Sequence, residues 1–311
     1  MPERLPDPPG RDPDPQPAGI ADPPRPVIPP PVRDRLRRVR GVVFDMDGTL
    51  VLGDPRTSDL TPLPGAAELL RWLAAFDIPA VVLTNGTTRT PHEYAAELRA
   101  GGLPIGDDDV VTPASAAAEV FARRGYRRVL VLGNRGVGEP LAEAGIEPVP
   151  PAGRPAVDAV MVGWYREFTF DALEAACHAV WAGARLYSAS QALYFATATG
   201  RAIGTSRAIT AMIRSVTGCS VHVIGKPSLD ALRAARRRLG VPMADLAVVG
   251  DDPDLEVPMA HRGGCLAVAV GTGIGDASSF ADLPPRRRPH LSVAGVHELL
   301  GVFQALANPP R

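Results

Sequence analysis

From residue 40 onward, short apolar runs rich in β-branched residues alternate with longer Ala/Leu/Arg-rich runs, and this alternation restricts the chain to an α/β architecture with parallel sheets. The strand-like runs are Gly41-Val42-Val43-Phe44, Ala80-Val81-Val82-Leu83, Val129-Leu130-Val131-Leu132, Ala159-Val160-Met161-Val162, Val221-His222-Val223-Ile224, Leu246-Ala247-Val248-Val249 and Leu266-Ala267-Val268-Ala269-Val270. Helices are predicted between them over 66–76, 91–100, 170–181 and 229–239, with Pro91 suited to a first helical turn. No fixed-period repeat interrupts the pattern.

Residues 1–37 do not share it. Thirteen of the first 31 residues are proline, and large apolar side chains are almost absent, so this segment is expected to stay a disordered tail. The remaining length of the 311-residue chain suits about two domains. A formal net charge of −1 gives no global attraction to nucleic acid or to an anionic membrane, so neither partner is expected. No apolar stretch approaches the ~20 residues of a membrane span, and the polar N-terminus lacks the apolar core of a signal peptide. The three cysteines never fall in C-x-x-C spacing, which argues against a disulfide scaffold or a zinc site and fits a cytoplasmic protein.

The chemistry concentrates at Val42-Val43-Phe44-Asp45-Met46-Asp47-Gly48-Thr49. A buried strand ends in aspartates at i and i+2, and alternate strand positions point to the same side, so both carboxylates reach one site. That site lies at the carboxyl end of the strand, where open α/β sheets bind ligands. Two anions so close repel unless a cation lies between them, which implies Mg²⁺.

The run D-x-D-G-T resembles the first motif of the haloacid dehalogenase superfamily. The resemblance implies that Asp45 is a nucleophile that becomes phospho-aspartate and that Asp47 is the general acid and base. It extends to three further motifs. Thr84, with Asn85 and Gly86, stands at the end of the strand-like run that begins at Ala80, in the position that cradles phosphate oxygens. Gly225-Lys226-Pro227-Ser228 matches the family's G-K-P-S form, so Lys226 is expected to neutralise phosphate and nucleophile. In Gly250-Asp251-Asp252-Pro253-Asp254-Leu255-Glu256, Asp251 is expected to join Asp45 and the main-chain carbonyl of Asp47 on Mg²⁺, with Asp252 and Glu256 around those ligands.

Thr84 and Lys226 are 142 positions apart, far more than the ~30 residues of a βαβ unit, so a domain must be inserted between them. Its segments Thr112-Pro113-Ala114-Ser115-Ala116, Val131-Leu132-Gly133 and Val162-Gly163-Trp164-Tyr165-Arg166-Glu167-Phe168-Thr169 resemble the α/β cap of the class IIA, p-nitrophenyl-phosphatase-like branch. The expected fold is therefore α/β, a doubly wound parallel-sheet (Rossmann-like) core formed by 38–120 and 220–305, with an inserted α/β cap over 121–219. The implied activity is Mg²⁺-dependent hydrolysis of a small phosphorylated metabolite: a sugar, polyol, nucleotide or pyridoxal phosphate. Relatives often dimerise through the cap, so a homodimer is expected.

The match has gaps. Relatives carry A-T-N-x-D in a cap loop, where this chain has Ser188-Ala189-Ser190-Gln191-Ala192, and Tyr165 stands where Asp is common. Tyr194 and Phe195 lie just beyond that loop, and either stack on an apolar leaving group or pack within the cap. Asp252 and Glu256 also depart from the family's usual fourth motif. The rival readings are a catalytically weak pseudo-phosphatase that binds a phospho-ligand or a partner, and a phospho-accepting receiver domain, which D-x-D-G-T and the insert oppose. Gly133-Asn134-Arg135-Gly136-Val137-Gly138 looks like a phosphate loop but lacks Lys-Ser/Thr, and is read as a βα turn. Arg89 and His92 follow the second motif closely enough to line the entrance.

Overall fold

A computed structural model describes residues 28–53, 60–197, 200–274 and 279–307. Helix α1 (Pro30–Arg37) leads into β1 (Gly41–Phe44), and a hairpin of β2 (Val51–Gly53) and β3 (Leu60–Pro62) follows. Next come α2 (Ala66–Ala75), β4 (Ala80–Leu83), α3 (Pro91–Ala100) and β5 (Val110–Val111). Helix α4 (Pro113–Arg124) carries the chain into β6 (Arg128–Leu132), α5 (Arg135–Glu143), β7 (Glu147–Val149), β8 (Ala159–Val162), α6 (Phe170–Trp181) and β9 (Arg185–Ser188). A second hairpin, β10 (Tyr194–Thr197) and β11 (Gly200–Ile203), precedes α7 (Thr205–Thr217) and β12 (Val221–Val223). The chain then runs through α8 (Leu229–Leu239), β13 (Leu246–Gly250), α9 (Glu256–Gly263), β14 (Leu266–Val270), β15 (Leu291–Val293) and α10 (Val296–Ala307).

Local chemistry sets the helix starts. Thr90 and Thr112 each close a capping box, with Glu93 and Ser115 three residues on, and a proline follows each cap at the first helical position. Thr169 and Ser228 cap α6 and α8 with their hydroxyls.

The strands form two main sheets. One has six strands in the order β15-β14-β13-β1-β4-β5, and the other has five in the order β12-β9-β8-β6-β7. Every pairing within them is parallel. The strands are apolar on both faces because both faces are covered. Val42 and Phe44 of β1 pack in one apolar cluster with residues of α2, α3 and α10, whereas Val43 packs in another with residues of α4, α8 and α9. The second sheet repeats the arrangement: Val129 and Val131 face the α4 side, and Leu130 and Leu132 face α6 and α7.

Helix α4 is common to both units. Its Ala114, Ala116, Ala117, Ala118, Val120 and Phe121 share one continuous cluster with Val43 and Val81 of the first sheet and Val129 and Met161 of the second. The alanines allow close approach, and Phe121 fills the remaining space, its ring 4.7 Å from that of Tyr187 and 5.6 Å from that of Tyr126.

Two sequence expectations need correction. The segment 1–37 is not irregular throughout: residues 1–27 lie outside the described residues, but Pro30–Arg37 is helical. Val32, Leu36 and Val39, spaced i, i+4 and i+7, lie on the core among the arginines, and Leu36 is buried. The division at 219/220 also shifts, because β12 pairs with β9 and belongs to the inserted sheet through Val223. At the other end, the boundary at 120/121 cuts α4. The three cysteines are free. Among the described residues, no helix is long and apolar enough to cross a membrane.

Because the Phe121 ring is fully buried where the two sheets share their core, Phe121→Ala should cost about 3–5 kcal/mol. Urea unfolding should show both units losing structure in one transition; two separated transitions would contradict a shared core.

Candidate active site

Strand β1 lies between β13 and β4, at the point where the order of the six-stranded sheet reverses. Phe44 is in register with Val249 and Val82, so the residues just beyond these strands, Asp45, Thr84 and Asp251, emerge on one edge. The Asp45 amide extends the ladder by donating to Val249 O at 2.8 Å. A topological switch point of this kind leaves a crevice at the carboxyl ends of the strands.

Asp45, Thr84, Lys226, Asp251 and Glu256 are all buried there. The Lys226 ammonium meets Asp45 Oδ1 in a short ion pair and lies 2.8 Å from Glu256 Oε1. Burial disfavours the lysine's charge, but Asp45 and Glu256 more than offset this and raise its pKa. Asp251 comes within hydrogen-bonding reach of Asp45, and its pKa is pushed up to about 7, first by burial and then by that neighbouring charge. Burial likewise raises Glu256 to about 8, against the pull of Lys226. Asp47 is solvent-accessible yet crowded by protein atoms, and burial and the charge of Asp45 raise it to about 6. The cluster thus holds more carboxyl groups than one lysine neutralises.

No group of three His, Cys, Asp or Glu side chains suited to a metal occurs among the described residues. The donor chemistry nonetheless fits a hard divalent cation: the carboxyls of Asp45 and Asp251 lie near enough to act on one another and both offer oxygen donors. The space is kept clear by glycines. A Cβ on Gly48, whose φ is +78°, would stand 2.6 Å from Asp251 Oδ2, and one on Gly273 would collide with the same atom.

The other expected residues take varied places. Gly86 N–H donates to Thr84 Oγ1 at 3.0 Å, which closes the turn after β4. The Asn85 side chain does not point to open space: its Oδ1 accepts from Lys226 N at 2.7 Å and its Nδ2 donates to Lys226 O at 3.1 Å. Asp252 is half-buried and accepts from Asp254 N at 2.7 Å. Glu256 Oε2 accepts from Asp252 N at 3.2 Å. Arg89 pairs with Glu97 and lies 5.8 Å over the Tyr94 ring, while His92 is exposed at the start of α3.

In the altered loop, Ser190 Oγ accepts from Ala192 N at 3.1 Å, so the serine closes the turn locally as an asparagine can. Gln191 ties the loop to Ser188 and Thr210. Tyr165 stacks edge-to-face on Phe168, a packing role. The side chains of Tyr194 and Phe195 fall outside the described residues.

The loop after β14 was missed in the sequence. Ile274 N–H donates to Asp251 Oδ2 at 2.9 Å, and Thr272 Oγ1 donates to Gly48 O at 2.5 Å. Its only signal was Gly271-Thr272-Gly273 following an apolar strand.

Two family models match the chain. Residues 42–147 match that of the haloacid dehalogenase-like hydrolases, and residues 223–299 match a second HAD-hydrolase-like model. The 5'-nucleotidase YutF of Bacillus subtilis is 26% identical over 248 residues, which span 79% of this chain and 93% of the relative. An acid sugar phosphatase of Staphylococcus haemolyticus is 29% identical over 240 residues, spanning 77% of this chain and 88% of the relative. The crystal structure of a Mycobacterium tuberculosis glycerol phosphate phosphatase with magnesium superposes with a TM-score of 0.76 at 27% identity, covering 89% of this chain and 81% of that one.

The raised carboxyl pKa values have a thermodynamic consequence. Folded, these groups hold protons more tightly than unfolded, so their favourable contribution is present below about pH 4 and is lost as pH rises through about 6 to 8. A divalent cation relieves that loss. The stabilisation by added Mg²⁺ should therefore be larger at pH 8 than at pH 5 in thermal melts, and Lys226→Met without metal should cost about 3–5 kcal/mol. Equal Mg²⁺ shifts at the two pH values would refute this account.

Proposed function

The chain belongs to the haloacid dehalogenase-like hydrolases, and on that premise we propose that it is a Mg²⁺-dependent phosphomonoesterase acting on a small phosphorylated metabolite through a phospho-aspartate on Asp45. The observation that carries this reading is the Lys226 ammonium buried against the Asp45 carboxylate, beside Asp251 and on the same edge as Thr84. The names of the relatives differ in the leaving group, whether nucleoside, sugar or glycerol, and agree in the phosphate monoester. The candidate substrates are accordingly sugar, polyol, nucleotide and pyridoxal phosphates.

The carboxylates of Asp45 and Asp251, with the main-chain carbonyl of Asp47, would hold the ion, and when bound it withdraws charge from the phosphate oxygens. Lys226 adds a second positive charge against the phosphoryl oxygens. Thr84 and the Asn85 amide that follows it orient the group in line with Asp45, the Gly86 amide being taken up by the Thr84 hydroxyl. An Asp45 oxygen bonds to phosphorus as the ester oxygen departs, and Asp47 gives that oxygen its proton. A carboxyl with its pKa at about 6 carries a useful proton near neutrality and still accepts one afterwards. Asp47 then takes a proton from water, and the resulting hydroxide hydrolyses the acyl phosphate and frees Asp45. The inserted unit hydrogen-bonds the segment that follows Thr84, through Trp164 to Thr87 and Asn134 to Thr88, which supports a part for it at the rim of the site.

With p-nitrophenyl phosphate and Mg²⁺, wild type is expected to release phosphate at a steady rate. Asp45→Asn should abolish turnover, Asp47→Asn should lower it by roughly 10²–10⁴-fold, and a chelator should stop it. Wild type no faster than Asp45→Asn across a panel of phosphorylated metabolites would instead favour a binding protein without turnover.

A further inference from the structure

We propose that Asn85 is a positioning residue that holds Lys226 in register with Asp45, and that the inserted sheet fixes Asn85 for this task. The inference rests on the phosphatase reading above and assigns the Asn85 side chain a role separate from the phosphate contact expected of the backbone amide.

The reasoning starts from where Lys226 comes from. Its backbone leaves the inserted sheet, not the sheet that carries Asp45. Ile224 N donates to Ser188 O at 2.9 Å and Gly225 N to Ala189 O at 3.1 Å, continuing the β9–β12 pairing up to the lysine. The ammonium nevertheless works at the end of β1. A flexible four-carbon stem gives little directional control, so the backbone at its root must be placed accurately.

Asn85 provides that placement. One carboxamide accepts from the peptide N–H of Lys226 and donates to its C=O, at 2.7 and 3.1 Å. Gripping both polar groups of one residue sets its orientation as well as its position. Only one orientation of the amide satisfies both contacts, and each of its polar ends already faces a partner. The loop passes so close that a Cβ on Gly225 would collide with Ala189 O and Asn85 Oδ1. A side chain there would force the grip apart.

The segment that bears Asn85 is held in turn by the second sheet. Trp164 N donates to Thr87 Oγ1 at 2.8 Å, and Asn134 Nδ2 donates to Thr88 O at 3.1 Å. A Cβ on Gly136 would stand 2.5 Å from Thr87 O, and Arg135 pairs with Glu93 at 2.8 Å. The glycine-rich turn after β6 is therefore a docking loop against residues 87–89. Ends of β6, β8 and β9 all touch the two core loops that carry Thr84 and Lys226. The insert thus sets the spacing between the phosphate cradle and its lysine.

If Asn85 acts through Lys226, the two substitutions will not be additive. Losing the grip in Asn85→Ala should lower kcat about 10²-fold, the scale of a ~1 Å misplacement, while Asn85→Ala added to Lys226→Met should change kcat less than about twofold. Multiplying losses would overturn the proposal, because they would mean that Asn85 acts independently of the lysine. A second readout needs no turnover: amide hydrogen exchange at Lys226 should speed up at least tenfold in Asn85→Ala, with the Val248 and Val43 amides unchanged. Asn85→Asp, which keeps the acceptor and loses the donor, should fall between. Unchanged exchange at Lys226 in both variants would sink the proposal whatever the activity. If wild type shows no turnover but the exchange pattern holds, the phosphatase reading fails and the positioning role stands.

Discussion

The buried charge at the end of β1 is the constraint on which the rest of the molecule depends. Asp45, Asp251 and Glu256 are buried together, and among the described residues Lys226 alone pairs with them as a cation. Removing such groups from water is costly unless they are paired and hydrogen-bonded. The surrounding architecture supplies the pairing. Register places two carboxyls side by side, Gly48 and Gly273 leave room beside them, and the loop after β14 donates a peptide N–H to Asp251. The charge that remains uncompensated is what suits the site to a cation.

Lys226 reaches this site from the other sheet, and the two units therefore meet with little freedom. Helix α4 builds one apolar cluster across both, and glycines bring the carboxyl ends of β6 and β8 against the segment after Thr84. The edge of the inserted unit contacts the loops that bear Thr84 and Lys226. The altered Ser188–Ala192 loop closes on itself through Ser190 and Gln191, so its departures from the family pattern cost no buried hydrogen bond locally.

Much of this is legible in the sequence. The strand-like runs at Gly41, Ala80, Val129, Ala159, Leu246 and Leu266 are strongly apolar because both faces of each are covered, and they appear as β1, β4, β6, β8, β13 and β14. Strands with weaker patterns were not read: β5 has two residues, β7 is an edge strand containing Pro148, and β9 carries Arg185 at its exposed start. Helix α1 is hidden because its apolar stripe of Val32 and Leu36, continued just past its end by Val39, is thin and set among arginines and prolines. The Thr112 capping box that starts α4 was visible as letters but not as a helix start.

What the sequence determined by itself was local: which segments are strands, and which turns carry carboxylates, hydroxyls and a lysine. Periodicity and turn chemistry depend only on near neighbours in the chain. What the tertiary structure alone decided was the partnership between distant segments. That Asn85 grips the backbone of Lys226, that β12 joins β9 and not the core sheet, and that Ile274 supports Asp251 all depend on how two sheets pack across α4. The physical reason is that hydrogen bonds and ion pairs in a buried site are chosen by distance in space, which no spacing along the chain encodes.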